Sequence, residues 1–164
     1  MTGNQPMFDT LRSLLDNPAF KSQVTHATIK LEANQHLLRQ GEKHSNIFII
    51  ISGKVRVAVS GMEDTSKNVH PGITELGPEN IFGEFSLFDD SPASADIITM
   101  SETELIKIDT QSFKVFLETN QEVGYKIFME MLKALVGRLR QADKTILNLY
   151  AWGIKAHQID KHLE

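Results

Sequence analysis

The chain has 164 residues, of which 41% are hydrophobic and 23% are charged, and its formal net charge is −4. This composition is typical of one globular domain that can bury its core without disulfides or metal, and the net charge argues against a broad surface for nucleic acid. The absence of cysteine excludes a disulfide framework, a zinc–thiolate site and a catalytic thiol, and it fits the reducing cytoplasm, where we expect the protein. The longest apolar run, residues 47–51, is far too short to span a bilayer, so we expect no membrane contact.

The first predicted element is an amphipathic helix. Apolar residues recur at helical spacing across residues 8–15, and the Asn17-Pro18 pair predicts the end of that helix.

Strand signals dominate residues 24–108. Residues 47–51 are apolar and rich in β-branched side chains, and residues 54–59 alternate between polar and apolar, which predicts a strand with one wet face. Residues 61–72 are polar and predict a loop. Further short strands are predicted at residues 73–76, 97–100 and 103–108. Many short strands separated by Gly and Pro indicate a sandwich or barrel of the jelly-roll kind.

The pattern changes to helical after Asp109, whose side chain can cap a short helix. A long helix is predicted over residues 121–150, and its apolar residues are separated alternately by four and three positions. A helix packed on its own domain also has an apolar stripe, but strict 4-3 alternation favours a narrow seam between two helices. We therefore expect a homodimer through an a/d seam formed by Phe128, Leu132, Leu135, Leu139, Ala142, Ile146 and Leu149.

Residues 83–95, GEFSLFDDSPASA, are the most informative segment for function, and we call them the cassette. A glycine and a carboxylate open the cassette, an acidic turn follows, and a proline leads into small residues. Such a segment offers a carboxylate to hydroxyl groups of a ligand and backbone N–H groups to a phosphate.

Several further motifs occur along the chain in a fixed order with the cassette. They are Gln40-Gly41-Glu42, Ile47-Phe48-Ile49-Ile50 with Ser52-Gly53 and Val55, Leu76-Gly77-Pro78 before Phe82-Gly83-Glu84, the cassette, and Arg138-Leu139-Arg140. Each motif alone is weak, but the ordered set is specific and covers about residues 20–150. By these motifs the chain resembles the cyclic nucleotide-binding domain family, in particular its bacterial catabolite-activator type.

The resemblance implies an α+β fold: an eight-stranded β jelly-roll barrel with an N-terminal helix, a short phosphate-binding-cassette helix and a long C-terminal dimerisation helix. Residues 1–120 would form the cyclic nucleotide-binding β-barrel domain with its N-terminal helix, and residues 121–152 the dimerisation helix. Residues 153–164 would form a short tail, because Gly153 is expected to end the helix.

The resemblance also implies roles for individual residues. Glu84 would accept a hydrogen bond from the ribose 2′-hydroxyl, Gly83 would leave room for the ligand, and Ser94 would donate its hydroxyl to the cyclic phosphate. Asp143 on the long helix is the candidate to contact the base. The full set of expected ligand-binding residues is Gly83, Glu84, Phe85, Ser86, Pro92, Ala93, Ser94 and Asp143.

Ala93 departs from the family pattern, which has an arginine after the proline. The missing guanidinium would have formed two parallel hydrogen bonds with the phosphate. Losing such a charged contact lowers affinity by roughly 10- to 150-fold, from a contribution of about 1.5–3 kcal/mol. The cations that could replace it are Arg56, Arg138, Arg140 and Lys144.

The expected function is that of a homodimeric sensor that binds a cyclic nucleotide and acts on a protein partner whose identity is unknown. We expect cyclic AMP as the ligand, with cyclic GMP or another nucleotide as alternatives, and no metal, because no ligand spacing is present. The eleven residues after Gly153 are too few for a winged helix-turn-helix, so we expect no DNA reading by this chain. Catalytic motifs are absent, and we expect no enzyme. The alternative is a degenerate dimeric protein-interaction module of the same fold that binds no nucleotide.

Overall fold

The computed structural model describes residues 5–59, 72–89 and 91–156. It opens with two helices, α1 over Gln5–Leu15 and α2 over Pro18–Gln23. The Asn17-Pro18 pair ends α1 as predicted, but it also begins α2, which the sequence pattern did not predict. Asn17 is the N-cap of α2, since its side-chain oxygen accepts a hydrogen bond from the Ala19 N–H at 2.8 Å.

Within the described residues, eight strands form two four-stranded antiparallel sheets, with the strand orders β1-β8-β3-β6 and β2-β7-β4-β5. The predicted jelly-roll architecture is confirmed, although these strands do not close into a continuous barrel. The loop predicted over residues 61–72 lies outside the described residues except for Gly72, which begins a strand. The strands are β1 His26–Leu31, β2 His36–Leu38, β3 Asn46–Ser52, β4 Val55–Ala58, β5 Gly72–Leu76, β6 Ile81–Phe82, β7 Asp96–Thr99 and β8 Thr103–Asp109.

Strand β3 separates two parts of the hydrophobic core, because its side chains alternate between the two faces of the sheet. Ile47 and Ile49 pack with the helices, whereas Phe48 and Ile50 pack toward the second sheet. Phe48 stacks on Phe82 of β6 with ring centroids 5.1 Å apart. This stacking holds β6, which leads directly into the cassette, against the centre of the first sheet.

Two helices follow the strands: α3 over Thr110–Thr119 and α4 over Gln121–Ala156. Asp109 caps α3 as predicted, because its side chain accepts from the Ser112 N–H at 2.8 Å. Helix α4 begins where the sequence predicted but continues past Gly153, so the predicted end at residue 152 is four residues too early. A glycine inside a helix is unfavourable by only about 1 kcal/mol relative to alanine, and the helix tolerates it.

Helix α4 presents two different faces. Ile127, Met131 and Ala134 are buried in the helical part of the core, together with side chains of α1. The residues of the predicted a/d seam lie beside that face and are exposed, apart from Leu135, which is half-buried. All residues from 136 to 152 are exposed. The second half of α4 therefore extends from the domain with an apolar stripe in water. No helix in the described ranges is long and apolar enough to cross a membrane.

Candidate ligand-binding site

Gly83 begins the cassette at the end of β6, and both its conformation and its surroundings require glycine. Its φ of 78° lies in the left-handed region. A Cβ atom at this position would lie 2.6 Å from the carbonyl oxygen of Asn46. Gly83 thereby turns the chain into a single 3₁₀ turn, Glu84–Leu87, which we call the cassette helix. The short helix expected in the cassette is present.

Glu84 is the first residue of the cassette helix and is only 4% exposed. Its carboxylate forms an ion pair with Arg138 of α4, and Arg138 also donates to the carbonyl oxygen of Ile81 at 3.1 Å. A buried carboxylate is strongly unfavourable unless it has a charged or hydrogen-bonding partner, and Arg138 supplies that partner. The ion pair ties the cassette to the long helix.

Ser86 and Thr110 join the cassette helix to the start of α3. The Ser86 hydroxyl donates to the Gly83 carbonyl oxygen at 2.7 Å and lies 2.9 Å from the hydroxyl of Thr110, which is buried. Since Ser86 uses its proton on Gly83, Thr110 donates to Ser86. The Ser86 side chain thus stabilises the cassette from within. Phe85, its neighbour, is 47% exposed.

The far end of the cassette is held to the segment before β3. The Ala93 N–H donates to the Glu42 carbonyl oxygen and the Ala93 carbonyl accepts from the Gly41 N–H, both at 2.9 Å. Pro92 and Ser94 are exposed. Ser94 has no hydrogen-bond partner within the described ranges, so its N–H and hydroxyl can serve a ligand. The Ala93 N–H is already used by Glu42.

Of the four cations considered as replacements for the missing arginine, Arg138 contacts the cassette. Val55 and Val57 face the core between the sheets, so strand alternation places Arg56 on the outer face of the second sheet. Arg140 and Lys144 are exposed on α4. Arg138, one of the cations expected from the sequence to replace the missing arginine at the phosphate, pairs instead with Glu84, a contact that the sequence did not predict. The signal for this contact in the sequence was the position of Arg138 in the Arg138-Leu139-Arg140 motif.

Asp143 is exposed on α4, five residues beyond Arg138. Five residues correspond to about 7.5 Å along a helix axis. In the described part of the chain, the histidine and carboxylate side chains form no group that could hold a metal ion.

The family model and the curated relatives that this chain resembles all concern cyclic nucleotide-binding proteins. The family model for the cyclic nucleotide-binding domain matches residues 28–120. A CRP-like cAMP-activated global transcriptional regulator of Mycobacterium tuberculosis is 28% identical over 110 residues, which are 67% of this chain and 46% of that protein. A cAMP-dependent protein kinase regulatory subunit of Dictyostelium discoideum is 28% identical over 85 residues, 52% of this chain and 26% of that protein. The chain thus spans less than half the length of these relatives.

The fold also matches solved structures. The catabolite activator protein of Thermus thermophilus has a TM-score of 0.66 at 21% identity, covering 88% of this chain and 63% of that one. A cyclic nucleotide-binding domain from Methylobacillus flagellatus has a TM-score of 0.68 at 19% identity, covering 90% and 86%. The match to the family model spans more than half of the chain and includes residues 83–94. The chain belongs to the cyclic nucleotide-binding domain family.

Proposed function

We propose that this chain is a regulatory sensor that binds a cyclic nucleotide, with cyclic AMP as the preferred ligand, and that it has no catalytic activity of its own. The observation that carries the proposal is the buried Glu84 carboxylate, placed directly after Gly83 at the start of the cassette helix. The relatives named as cAMP-activated and cAMP-dependent support the choice of cyclic AMP. No metal is required for this binding.

Glu84 is suited to bind the ribose while it remains paired with Arg138. A carboxylate has about four acceptor positions on its two oxygens, so it can accept from a ribose hydroxyl and from a guanidinium together. A hydrogen bond to a charged acceptor contributes about 1.5–3 kcal/mol. The exposed Ser94 then offers its hydroxyl and N–H to the cyclic phosphate at the other end of the cassette.

Arg138 connects the cassette to α4 and so can transmit the effect of ligand binding. It lies on α4 and contacts both Glu84 and the Ile81 carbonyl. A ligand that changes the hydrogen bonding of Glu84 therefore changes the contacts that hold α4 against the cassette. We propose that the resulting movement of α4 alters its contact with a partner protein.

The second half of α4 supports a homodimer. Leu139, Ile146 and Leu149 are each more than 60% exposed and recur at heptad spacing. An exposed apolar stripe of this kind marks an interaction surface. A symmetric pair of α4 helices would cover the stripe.

Calorimetry on the purified chain tests nucleotide binding. Cyclic AMP should release heat and raise the melting temperature, cyclic GMP should bind more weakly, and Glu84→Ala should remove the effect. Glu118→Ala, at an exposed position on α3, is the matched control and should bind as the parent chain does. If millimolar cyclic AMP gives neither heat nor a melting shift, nucleotide binding is refuted.

The contacts around Ala93 favour the second candidate, a dimeric interaction module that binds no nucleotide. Position 93 lacks a cation, its N–H is engaged by Glu42, and Arg138 already pairs with Glu84. This candidate predicts that Glu84→Ala leaves partner binding unchanged, whereas Leu139→Asp abolishes it by breaking the dimer. If the chain is a nucleotide sensor, both substitutions should impair partner binding.

A further inference from the structure

Helix α4 has a third face besides the face packed on its own domain and the a/d seam. Because successive residues of a helix are turned by about 100°, six side chains of α4 fall within an arc of about 80°. The middle of this arc is turned about 140° from the buried face and about 140° from the seam. We call it the outer face, and its residues are Lys126, Lys133, Val136, Arg140, Lys144 and Leu147.

The outer face is a basic stripe on an acidic protein. Its four cationic side chains are exposed, and none of them forms an ion pair within the part of the chain that the structure describes. Asp143 is the only acidic residue from position 131 to 156, a stretch with five basic residues, although the net charge of the whole chain is −4. Cations of one sign in a row create a local positive potential that attracts an acidic partner.

Two apolar side chains lie in the same row as the cations. Val136 and Leu147 are exposed, and neither belongs to the a/d seam. A homodimer through the seam therefore leaves both of them in water. Exposed apolar side chains beside unpaired cations favour a partner that offers apolar and acidic groups together.

The dimensions of the outer face fit one helix of a partner protein. From Lys126 to Leu147 the face extends over about 30 Å along the helix axis. An arc of about 80° has the width of a seam between two paired helices, whereas a helix lying on a bilayer presents a broader apolar side. Nucleic acid phosphates pair with cations and leave Val136 and Leu147 unexplained. A second copy of the outer face would bring cations against cations.

We propose that the outer face of α4 binds an acidic amphipathic helix of a partner protein. Carboxylates of that helix pair with Lys133, Arg140 and Lys144. Its apolar side chains cover Val136 and Leu147. The inference rests on the proposed function for the existence of a protein partner, and it adds the surface that the partner contacts and the chemistry of that partner. The surface lies on the same helix as Arg138, which contacts the cassette.

Fluorescence anisotropy with a labelled peptide tests the outer face. The probe is a synthetic helix of three heptads with leucine at a and d, glutamate at e and g, and alanine or glutamine elsewhere. The full chain should bind it, and a peptide with lysine in place of glutamate should bind at least tenfold more weakly. Rising ionic strength should weaken binding of the acidic peptide, because the ion pairs are exposed.

Charge reversal on the outer face should weaken binding of the acidic peptide. For Arg140→Glu/Lys144→Glu we expect about tenfold weaker binding, since two attractive pairs become repulsive. Lys107→Glu/Lys114→Glu makes the same change of charge at exposed lysines outside α4 and should bind the peptide as the parent chain does. Leu147→Asp should also weaken binding about tenfold, because it removes an apolar anchor. The substituted side chains are exposed, so the melting temperatures of these variants should match that of the parent.

Equal binding of the acidic and basic peptides overturns the inference, as does equal binding by the parent and Arg140→Glu/Lys144→Glu. Peptide binding that is lost in Leu139→Asp but retained in Leu147→Asp places the peptide in the seam and also overturns it. Vesicles of phosphatidylserine and phosphatidylcholine and a short DNA duplex are tested in parallel. Binding of either one without binding of the acidic peptide overturns the inference in favour of a membrane or nucleic acid.

The peptide measurements are made without nucleotide, which separates this inference from the proposed sensor. If cyclic AMP binds in calorimetry but the acidic peptide does not bind, the outer face is refuted and nucleotide binding stands. If the peptide binds with the expected dependence on charge but cyclic AMP does not bind, the outer face is supported and nucleotide binding is refuted.

Discussion

Glu84 and Arg138, 54 residues apart in sequence, form an ion pair in which the carboxylate side chain is 5% exposed and the guanidinium side chain is 41% exposed. The buried member belongs to the cassette and the half-exposed member to the long helix. Because the buried carboxylate depends on the arginine for its charge partner, the ion pair ties the cassette to α4.

Removing the arginine should destabilise the fold. Arg138→Ala leaves the Glu84 carboxylate buried and unpaired, which we expect to lower the free energy of unfolding by about 1–3 kcal/mol. Denaturant unfolding measures this free energy of unfolding. Arg140→Ala, at an exposed position of α4, is the matched control. Adding Glu84→Gln to Arg138→Ala should recover part of the loss, because a neutral amide is less unfavourable when buried. Equal stability of Arg138→Ala and the parent would show that the pair contributes nothing.

A side chain at the start of the cassette should be poorly tolerated. Gly83→Ala requires a left-handed conformation and places a methyl group 2.6 Å from a backbone oxygen, so we expect a loss of about 2 kcal/mol or more. Gly77→Ala is the control, because its Cβ would meet no atom within 4 Å. Urea midpoints compare the two, and similar midpoints would contradict the prediction.

The hydroxyl of Thr110 should stabilise the cassette helix through Ser86. Thr110→Val keeps the shape but removes the donor to Ser86, and we expect a loss of about 1 kcal/mol in stability with weaker nucleotide binding. Amide exchange of residues 84–88 should accelerate in this variant. Thr119→Val, at an exposed position of α3, the helix that also contains Thr110, should leave the exchange of residues 84–88 unchanged. Unaltered exchange in Thr110→Val would exclude the proposed role.

Restoring the arginine at position 93 should strengthen binding. Ala93→Arg supplies the cation that the family pattern places here, and we expect cyclic AMP affinity to rise by roughly 10- to 150-fold in calorimetry. Ser91→Arg adds the same charge two residues earlier at an exposed position and should give a much smaller gain. If the two variants bind equally, the phosphate does not lie at this end of the cassette.

A charge in the seam should break the proposed dimer. Leu139→Asp places a carboxylate between the apolar stripes, and sedimentation should then give a mass near 18.4 kDa. Leu147→Asp is the matched control, because Leu147 is as exposed as Leu139, at 66% and 63%, but lies outside the a/d seam. A dimer that survives Leu139→Asp but not Leu147→Asp would place the interface on another face of α4.

Local patterns in the sequence determined much of this protein. Alternation and turn residues predicted the jelly-roll class and five of the eight described strands, β3, β4, β5, β7 and β8, whereas β1, β2 and β6 were not predicted individually. Asp109 predicted the start of α3, and the order of the motifs indicated the family. The 4-3 spacing on α4 indicated a seam whose residues prove to be mostly exposed. These features depend on neighbours within a few positions along the chain, so the sequence alone is sufficient. Local pattern was insufficient at α2 and at Gly153, because Asn17 caps a second helix as well as following the first, and α4 tolerates the glycine and continues past it.

The tertiary structure alone decided the contacts of the cassette. That Arg138 meets Glu84, that Thr110 donates to Ser86, and that the Ala93 N–H is engaged by Glu42 depends on how the helices and sheets pack together. The sequence contains several cations that could pair with any given carboxylate. Only the packing of the helices and sheets buries one carboxylate, Glu84, beside one of these cations, Arg138. Burial then makes that pairing necessary, because an unpaired carboxylate out of water is too unfavourable to persist.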